Sequence, residues 1–482
     1  MPASLLLPLD QLPEPLPVPP IRPSRGDAPL RARVTPPGSK SLTNRLLLLA
    51  ALCDGQSVLR RPLLDADDAR RMLAALDLLG VGTASPAQAG PKESQPPSKA
   101  RRSGSSSDLH VQGVAGRWRP TANPLTLDLN NAGTATRFLS AAALLSPAPI
   151  TITGNERMRQ RPISELVTSL RQLGATVEHG GDPGCPPIRI TPPTDTARRT
   201  LEIPTTQSSQ FISALLLIAP WLPGGLTLKL VGPVTSASYV RMTLALLEKL
   251  EVECQTASDL SVIQIPHAPP APFTIDVEPD ASGATYFWGA GALLPGASVT
   301  VPGLTSASLQ GDAKFPDLLA RMGARVSEDP ATPTSPGSIT VAAPSKLTPI
   351  MADMSDMPDA AMTIAVLAAF APGPSVLRGV RTLRVKETDR IAALQNELAR
   401  IGVKVDADIS ADPDSMTITP PERGLDLSDA APPVTFDTYD DHRMAMSLAL
   451  IALRRPNVSI NDPGCVAKTY PTFWQDIASL YP

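Results

Sequence analysis

The sequence has no apolar run long enough to cross a membrane; its leucine-rich stretch from Leu46 to Leu52 falls well short of the ~18 residues that a spanning helix needs. Its four cysteines, Cys53, Cys185, Cys254 and Cys465, lie too far apart for a close-spaced metal site or a disulfide framework. The first residues have no basic side chain before their leucines and are interrupted by proline, so no signal peptide is predicted. We therefore expect a cytoplasmic protein without a membrane partner.

The charge is nearly balanced and points to no particular class of partner. With 43 basic and 46 acidic residues, the chain offers no basic surface for nucleic acid. Its 482 residues predict two domains of about 200 residues each. Many of the 55 prolines fall in residues 1–30 and 83–108, which are predicted to be a flexible leader and a flexible surface insertion.

Six segments repeat one pattern, in which a short polar turn opens into an Ala/Leu-rich apolar stretch. Successive copies are roughly 75 to 80 residues apart, and the first gap is longer because it contains the proline-rich insertion. Five turns place a Ser, Thr, Asp or Asn near the helix start and the sixth has Asp441, so each stretch predicts a buried helix with a side-chain cap. The segments are PGSKSLTNRLLLLAAL (from Pro37), NNAGTATRFLSAAALL (from Asn130), TTQSSQFISALLLIAP (from Thr205), EPDASGATYFWGAGALL (from Glu278), DMPDAAMTIAVLAAF (from Asp356) and YDDHRMAMSLALIAL (from Tyr439).

Runs of β-branched residues bounded by glycine separate the six stretches, as near Leu226 and Ala297, and predict strands. Alternating strands and helices indicate an α/β fold of six sheet-and-helix units, three in each of two lobes. We expect lobe I to contain residues 1–38 and 279–482 and lobe II to contain residues 39–278. The chain would then cross between the lobes twice.

Positive side chains lie at or near several of these turns. A helix start has about half a positive charge and unpaired N–H groups, so several starts that meet between two lobes would bind anions although the protein is not basic. Ordinary core packing explains one Ala-rich helix equally well, and a solvated helix face explains one charge run. Cations from five or more separate positions instead indicate several anionic groups. They are Lys40, Arg45, Arg157, Arg443 and Lys468, and the segment RVKETDR adds Arg384, Lys386 and Arg390 beside Glu387 and Asp389.

Eight segments between about Val34 and Phe473 stand out, and in chain order they are PGSKSLTNR, NNAGTATRF, GNERMRQRPI, SSQFISALLL, MPDAAMT, RVKETDR, DDHRMAM and AKTYP. In this order they resemble the signature segments of the 5-enolpyruvylshikimate-3-phosphate synthase family. The resemblance implies a two-lobed enolpyruvyl transferase fold of six repeated units. It implies transfer of the enolpyruvyl group of phosphoenolpyruvate to the 5-hydroxyl of shikimate 3-phosphate with release of phosphate, in the shikimate pathway to chorismate and the aromatic amino acids. No metal and no organic cofactor are implied, and we expect a monomer that binds no nucleic acid.

The resemblance also assigns the site residues, each through its motif. Asp359 would accept the proton of the attacking hydroxyl, Glu387 would transfer the proton of the methylene carbon, and Lys40 would contact both ligands. Such a pair makes chemical sense, because phosphoenolpyruvate is a poor electrophile until its methylene carbon is protonated. The residues implied to bind shikimate 3-phosphate are Lys40, Ser41, Arg45, Ser208, Ser209, Gln210, Ser236, Asp359 and Lys386, with Tyr239 nearby. Those implied to bind phosphoenolpyruvate are Lys40, Gly133, Arg157, Gln210, Arg390, Arg443 and Lys468.

Two positions depart from the family pattern. Thr382 stands where many members have Asn beside the shikimate, and Phe138 follows Arg137 where many members have Pro. Gly133 still predicts inhibition by glyphosate, the inhibitor of this family, in competition with phosphoenolpyruvate. The role of His442 is open between a helix cap, a core histidine and a proton carrier.

Two other functions compete with this one. The sister family that transfers enolpyruvyl to UDP-N-acetylglucosamine shares the six-unit fold but typically has a reactive cysteine on a loop where this chain has GNERMRQRP. A non-catalytic anion-binding repeat protein would need the cations but neither Asp359 nor Glu387. Substitution of either carboxylate therefore distinguishes an enzyme from a binding protein.

Overall fold

The chain divides into two compact units in a computed structural model that describes residues 1–22, 29–84, 108–194, 199–204, 207–408 and 410–482. Unit 1 consists of Met1–Pro37 and Pro279–Pro482, and unit 2 of Gly38–Glu278. The predicted insertion at 83–108 lies outside the described residues except for Thr83, Ala84 and Asp108. Among the residues that are described, no helix is both long enough and apolar enough to span a membrane.

Helices and strands alternate along most of the described chain. The α-helices are α1 (Lys40–Leu52), α2 (Asp67–Leu78), α3 (Gly133–Ala142), α4 (Ser164–Gln172), α5 (Ser209–Ile218), α6 (Ala237–Lys249), α7 (Ala281–Leu293), α8 (Phe315–Arg321), α9 (Ala361–Ala368), α10 (Arg390–Ala399), α11 (His442–Ala452) and α12 (Phe473–Ala478). The strands are β1 (Leu16–Val18), β2 (Arg31–Arg33), β3 (Gln56–Arg60), β4 (Gly82–Ala84), β5 (Leu109–Gln112), β6 (Leu125–Asp128), β7 (Ile150–Thr153), β8 (Thr176–His179), β9 (Ile188–Thr191), β10 (Thr200–Pro204), β11 (Leu226–Val231), β12 (Gln255–Thr256), β13 (Val262–Ile265), β14 (Thr274–Asp276), β15 (Ser298–Pro302), β16 (Arg325–Asp329), β17 (Ser338–Ala342), β18 (Met351–Asp353), β19 (Ser375–Arg378), β20 (Lys404–Asp406), β21 (Ser415–Thr419), β22 (Val434–Phe436) and β23 (Val458–Ile460).

The strands form six small sheets, three in each unit, which confirms the predicted α/β repeat. Unit 2 contains the sheets β14-β3-β5-β4, β6-β7-β9-β8 and β10-β11-β13-β12, and unit 1 contains β16-β17-β15-β2, β18-β19-β21-β20 and β1-β23-β22. Five of them share one pairing scheme, in which one parallel pair is extended by two antiparallel partners. The sixth has the parallel pair β22–β23, and β1 is its antiparallel partner.

The two chain crossings exchange strands between repeats. In four repeats, such as β6–α3–β7, the strands before and after the buried helix pair in parallel. The strand before α1 is β2, but β3 pairs with β14 instead. The strand before α7 is β14, and β15 correspondingly pairs with β2. Each exchanged strand therefore completes a sheet in the unit to which it belongs.

The six repeat helices α1, α3, α5, α7, α9 and α11 are buried along almost their whole length, as predicted. The predicted side-chain cap is present in four of them, from Ser39, Ser208, Asp280 and Asp441. The prediction was wrong for α3 and α9, whose N-cap residues are Ala132 and Ala360. Asp359 lies inside a 3-10 turn, Pro358–Ala360, that runs into α9, and its carboxylate pairs with cations instead of backbone N–H groups.

The expectation of a flexible leader was wrong for the described residues 1–22. Leu5 and Leu16 are completely buried in the core of unit 1, and β1 pairs with β23. Gln475 Nε2 on α12 donates to the Leu7 carbonyl at 2.9 Å. Proline disfavours an α-helix here, but the segment forms two short 3-10 helices, Ala3–Leu6 and Leu9–Gln11, and Pro17 fits the extended edge strand β1. A proline-rich composition therefore did not prevent packing.

Candidate active site

The starts of α9, α10 and α11 bring charged side chains from distant segments of unit 1 together. Arg390 is the first residue of α10, and Arg443 is the second residue of α11, whose cap is Asp441. Ion pairs join these residues to Asp359 and to three further charged side chains. We call this set the unit 1 cluster, and its members are Asp359, Lys386, Glu387, Arg390, Asp441, Arg443 and Lys468.

Arg390 connects all three carboxylates of the unit 1 cluster. Its Nε and Nη2 donate to the two oxygens of Asp441 at 2.8 and 3.1 Å. Its Nη1 donates to Asp359 Oδ1 at 2.9 Å, and Nη2 also donates to Glu387 Oε2 at 2.8 Å. Burial alone would lower the pKa of Arg390, but the Asp441, Glu387 and Asp359 carboxylates outweigh it and raise the pKa. The guanidinium is therefore permanently charged and held in one plane.

Asp359 is an ionised carboxylate surrounded by cations. Besides Arg390, Lys386 Nζ lies 3.3 Å from its Oδ1 and Arg443 Nη2 lies 3.1 Å from its Oδ2. Burial favours the neutral acid, but Arg443, Lys386 and Arg390 outweigh this effect and hold the pKa of Asp359 well below its usual range. Without a ligand, the carboxylate is thus charged but weakly basic.

Glu387 forms the other acidic position of the unit 1 cluster. Its Oε1 lies 3.4 Å from Lys468 Nζ, and its Oε2 accepts from Arg390. Lys468 ends the 3-10 helix Pro463–Lys468, so a separate segment supplies this cation. The side chains of Glu387 and Lys468 are 8% and 11% exposed, which leaves both reachable by a ligand. Four cations against three carboxylates give the cluster an excess positive charge.

Arg443 and His442 are neighbours in sequence but have different surroundings. Arg443 Nη1 donates to the Tyr286 hydroxyl at 3.4 Å. Burial raises the pKa of Tyr286 to about 12, although Arg443 opposes the change, so the phenol is neutral. The His442 ring is completely buried, with Nδ1 3.6 Å from an oxygen of Asp441. Since Asp441 provides the cap of α11, His442 is a core histidine in this structure.

In unit 2, Lys40 is paired with an acid that the sequence did not single out. Lys40 is the first residue of α1, and its Nζ lies 3.3 Å from Asp68 Oδ2. The Asp68 side chain is 2% exposed and lies in the first turn of α2. Asp68 therefore restrains Lys40, the residue that the family resemblance assigns to both ligands.

Arg45 is almost completely buried among neutral oxygens. Its guanidinium donates to Thr243 Oγ1 at 2.8 Å, to Ser213 Oγ at 3.2 Å and to the carbonyls of Ser41 and Tyr239 at 2.9 and 3.2 Å. It also lies 5.2 Å from the centre of the Phe138 ring. Burial lowers its pKa to about 10, against a raising effect of Tyr239. Among the described residues no carboxylate lies within ion-pair distance of Arg45, so its charge has no internal counter-ion there.

Gly133 is the first residue of α3, and its missing side chain leaves space for Arg161. A Cβ at this position would lie 2.8 Å from Arg161 Nη2. Arg161 is 6% exposed and its Nη1 donates to Asn131 Oδ1 at 3.2 Å. Arg157 is half-buried in the same loop and immediately precedes the 3-10 helix Met158–Gln160. The Arg161 guanidinium therefore occupies the space that a side chain at position 133 would need.

The predicted phosphate-binding residues lie at two helix starts of unit 2. Ser208 caps α5 by accepting from the Gln210 N–H at 3.2 Å, and Ser209 is the buried first residue of that helix. Gln210 Nε2 donates to Thr134 Oγ1 at 3.3 Å, which joins the starts of α5 and α3. Ser236 precedes α6 in a left-handed conformation with φ 51°. Its side chain makes no cap hydrogen bond.

Several residues beside these sites were not predicted. Asp68 and Asp441 are the carboxylates that pair with Lys40 and Arg390, and Arg161 lies against Gly133. Asp441 was considered only as a cap. A buried acid before an alanine-rich helix carries no signal that distinguishes a cap from an ion-pair partner, because that partner is 51 residues away in the sequence.

Comparison with known proteins identifies the family. Residues 24–477 match the family model described as EPSP synthase (3-phosphoshikimate 1-carboxyvinyltransferase). The chain belongs to the EPSP synthase family. A 3-phosphoshikimate 1-carboxyvinyltransferase from Shewanella halifaxensis is 40% identical over 92% of this chain and 95% of that protein. One from Laribacter hongkongensis is 41% identical over 94% of this chain and 97% of that protein.

A solved EPSP synthase supports the same fold. The structure from Acinetobacter baumannii superposes with a TM-score of 0.72 at 24% identity and covers 96% of this chain and 97% of that one. The predicted enolpyruvyl transferase fold with six sheet-and-helix units is therefore confirmed. In the parts of the chain that the structure describes, no group of three or more His, Cys, Asp and Glu side chains could hold a metal ion.

Proposed function

We propose that this member of the EPSP synthase family transfers the enolpyruvyl group of phosphoenolpyruvate to the 5-hydroxyl of shikimate 3-phosphate and releases phosphate. Family membership supports the reaction class. The observation that carries the chemistry is the unit 1 cluster, in which two partly accessible carboxylates, Asp359 and Glu387, flank one buried arginine. An addition–elimination reaction needs this combination of proton carriers and fixed positive charge.

Phosphoenolpyruvate is proposed to bind at the unit 1 cluster, in which four cations stand against three carboxylates. In unit 1 its anionic groups would be held by Arg443 and Lys468, whose internal partners are shared carboxylates. Arg390 would stabilise the same ligand as a fixed charge, since all three of its nitrogens already donate to carboxylates with little exposure. Lys40, Gly133, Arg157 and Gln210 are the residues proposed for this ligand in unit 2.

Shikimate 3-phosphate carries a carboxylate and a phosphate, and separate groups are proposed for each. Arg45 would bind the carboxylate together with Ser41 and Lys40, because Arg45 is a buried guanidinium whose described partners are neutral oxygens. The start of α5 would bind the phosphate, since the N-terminus of a helix provides N–H donors and partial positive charge. The residues proposed there are Ser208, Ser209, Gln210 and Ser236, with Tyr239 beside them.

Asp359 and Glu387 are proposed as the two proton carriers. Asp359 would accept the 5-hydroxyl proton, with Lys386 beside it, after ligand anions draw Arg443 and Lys386 away from the carboxylate and so raise its basicity. Glu387 would protonate the methylene carbon of phosphoenolpyruvate and later remove a proton from the resulting methyl group. The developing anionic intermediate would be stabilised by the positive charges of Lys40, Arg443 and Lys468.

The cysteines argue against the UDP-N-acetylglucosamine reaction as the alternative function. A reactive cysteine needs a lowered pKa and access to solvent. Burial raises the pKa of Cys53 and Cys254 to about 12 and also raises the pKa of Cys185 and Cys465. No cysteine is present between Gly154 and Pro162, where the sister family typically has its reactive residue.

The decisive experiment measures release of phosphate from phosphoenolpyruvate in the presence and absence of shikimate 3-phosphate. We expect phosphate release to depend on shikimate 3-phosphate. We also expect glyphosate to inhibit it in competition with phosphoenolpyruvate. UDP-N-acetylglucosamine should not replace shikimate 3-phosphate. Binding of both ligands without phosphate release would instead support a non-catalytic binding protein. We also propose that the chain acts as a monomer in the cytoplasm, which sedimentation and cell fractionation would test.

A further inference from the structure

Asp312 is a buried acid next to the unit 1 cluster that the proposed reaction does not use. It lies in the 3-10 helix Gly311–Lys314 and is 3% exposed. Ser282 Oγ, in the first turn of α7, donates to Asp312 Oδ2 at 3.0 Å. Gln310 fastens the same segment to α7, because its side chain accepts from the Ala281 N–H at 3.0 Å and donates to the Pro279 carbonyl at 2.8 Å. The position of the Asp312 carboxylate is therefore fixed from two sides.

The charge of Asp312 acts on the ion pair of the unit 1 cluster that involves Arg443. Ser282, which donates to Asp312, and Tyr286, whose hydroxyl accepts from Arg443, are neighbours on one face of α7 because they are four residues apart. Asp312 is therefore held on the side of α7 that faces Arg443, whose Nη2 lies 3.1 Å from Asp359 Oδ2. At this position the Asp312 carboxylate interacts electrostatically with Arg443, Asp359 and Asp280. The phenol of Tyr286, the remaining titratable group of α7, is neutral. The charged groups on the adjoining helices are solvent-exposed and better screened, and they are Lys314, Asp317 and Arg321.

We propose that Asp312 is a positioning residue for Arg443. The charge of Asp312 sets how much of the positive charge of Arg443 is available to an anionic substrate. The inference rests on the proposed function, in which Arg443 binds phosphoenolpyruvate. While Asp312 is protonated, the unit 1 cluster keeps its excess of one positive charge. Once Asp312 is ionised, the excess is cancelled and a further negative charge acts on Arg443.

The charge of Asp312 changes within the pH range in which enzymes ordinarily work. Burial and the Asp359 carboxylate raise the pKa of Asp312 to about 7, against the lowering effects of Arg443 and of the Ser282 hydrogen bond. A bound anion opposes ionisation of Asp312, and ionised Asp312 correspondingly opposes binding of the anion. Affinity for an anion at Arg443 should therefore fall as the pH rises through neutrality.

The test compares wild type with Asp312→Asn, which keeps the shape and the acceptor for Ser282 but cannot ionise. The KM for phosphoenolpyruvate and the dissociation constant of inorganic phosphate, by calorimetry, are measured from about pH 6 to pH 9. In wild type both constants should rise about tenfold more over this range than in Asp312→Asn. Ionisation of the ligands themselves contributes equally to both proteins and cancels in the comparison. Asp317→Asn, an exposed acid on α8, is the matched control and should behave as wild type.

The same pH dependence in Asp312→Asn and wild type would overturn the proposal. Ser282→Ala provides a second test if Asp312→Asn does not fold: removal of the hydrogen bond should raise the pKa of Asp312 and move the midpoint of the affinity change to higher pH. An unmoved midpoint in Ser282→Ala would also overturn it. Binding of inorganic phosphate needs no turnover, so it can be measured even if the protein is not a transferase. A pH-dependent affinity for phosphate without transferase activity would contradict the proposed function and would leave the role of Asp312 standing.

Discussion

Arg390 in unit 1 and Arg45 in unit 2 are both almost completely buried, but their charges are balanced in opposite ways. Arg390 donates to three carboxylates, whereas Arg45 donates to hydroxyl and carbonyl oxygens. A ligand anion at Arg390 would have to compete with internal acids, while a ligand carboxylate at Arg45 would supply a missing counter-charge. The two buried positive charges are therefore fixed in different ways: ion pairs with carboxylates fix Arg390, and hydrogen bonds to neutral oxygens fix Arg45.

The two units also differ in how their sheets are completed. Each sheet of unit 2 has four strands drawn from Gly38–Glu278. In unit 1 one sheet has three strands, and one of these is β1 from the N-terminal segment. The N-terminal segment is thus structural in unit 1, and the described residues of unit 2 include no counterpart to it.

The largest expected effect tests the acids of unit 1. Glu387→Gln should lower kcat by about 10² to 10⁴, because the amide cannot transfer the proton of the methylene carbon. Binding of phosphoenolpyruvate should weaken by less than about fivefold, because Arg390 and Lys468 remain. Steady-state kinetics and calorimetry measure the two effects, and Glu422→Gln, an exposed acid of the same unit, is the control. Unchanged turnover would remove Glu387 from the mechanism.

The difference between the sheets is tested at two adjacent leucines. Leu5→Ala should lower the free energy of unfolding by about 2 to 3 kcal/mol, because Leu5 is completely buried in the core of unit 1. Leu6→Ala should change it by less than about 0.5 kcal/mol, because Leu6 is 49% exposed. Urea unfolding measures both. Equal losses would mean that the N-terminal segment does not pack as described.

Arg45→Lys tests the buried guanidinium of unit 2, which is hydrogen-bonded to neutral oxygens. Lysine keeps the positive charge but loses the planar fork, so kcat/KM for shikimate 3-phosphate should fall by about 30-fold. The KM for phosphoenolpyruvate should change little. Arg241→Lys, at an exposed position on α6, is the matched control. If the KM for phosphoenolpyruvate changes more than that for shikimate 3-phosphate, Arg45 has been assigned to the wrong ligand.

Gly133→Ala should have the smallest of the four effects. The added methyl group would lie 2.8 Å from Arg161 Nη2 and would displace the flexible end of that side chain. We expect the KM for phosphoenolpyruvate to rise about tenfold, with a smaller change for shikimate 3-phosphate. Gly373→Ala is the control, because a methyl group there would make only an ordinary contact of 3.6 Å with Pro349. An equal rise in both KM values would indicate a general loss of packing.

The sequence predicted the repeated helices well because each repeat carries its own local signal. An apolar stretch after a polar turn identifies a buried helix without any knowledge of its neighbours, as for α7, which is buried at every residue. The strand exchange at β2 and β14 could not be predicted, because both strands look like the first strand of an ordinary repeat. Pairing partners are set by the tertiary fold and not by local pattern.

The candidate site was predictable in its cations but not in their partners. Lys40 and Arg390 stand in recognisable motifs, whereas Asp68 and Asp441 become ion-pair partners only after separate helix starts are brought together. The arginine beside Gly133 was not predicted either, because Arg161 comes from a different segment of unit 2. Composition was also misleading for the N-terminal residues, since a high proline content disfavours long α-helices but does not prevent burial.

The ends of the polypeptide meet in space, where the Met1 amino group lies 3.3 Å from the Pro482 carbonyl oxygen. Unit 2 is a single continuous stretch, and unit 1 is interrupted only because residues 38–278 are inserted into it. A circularly permuted chain that begins at Pro279 and joins Pro482 to Met1 through a short linker would therefore encode the two units one after the other. The nested order of the units reflects where the chain is opened, and the contacts within each unit would be the same in either arrangement.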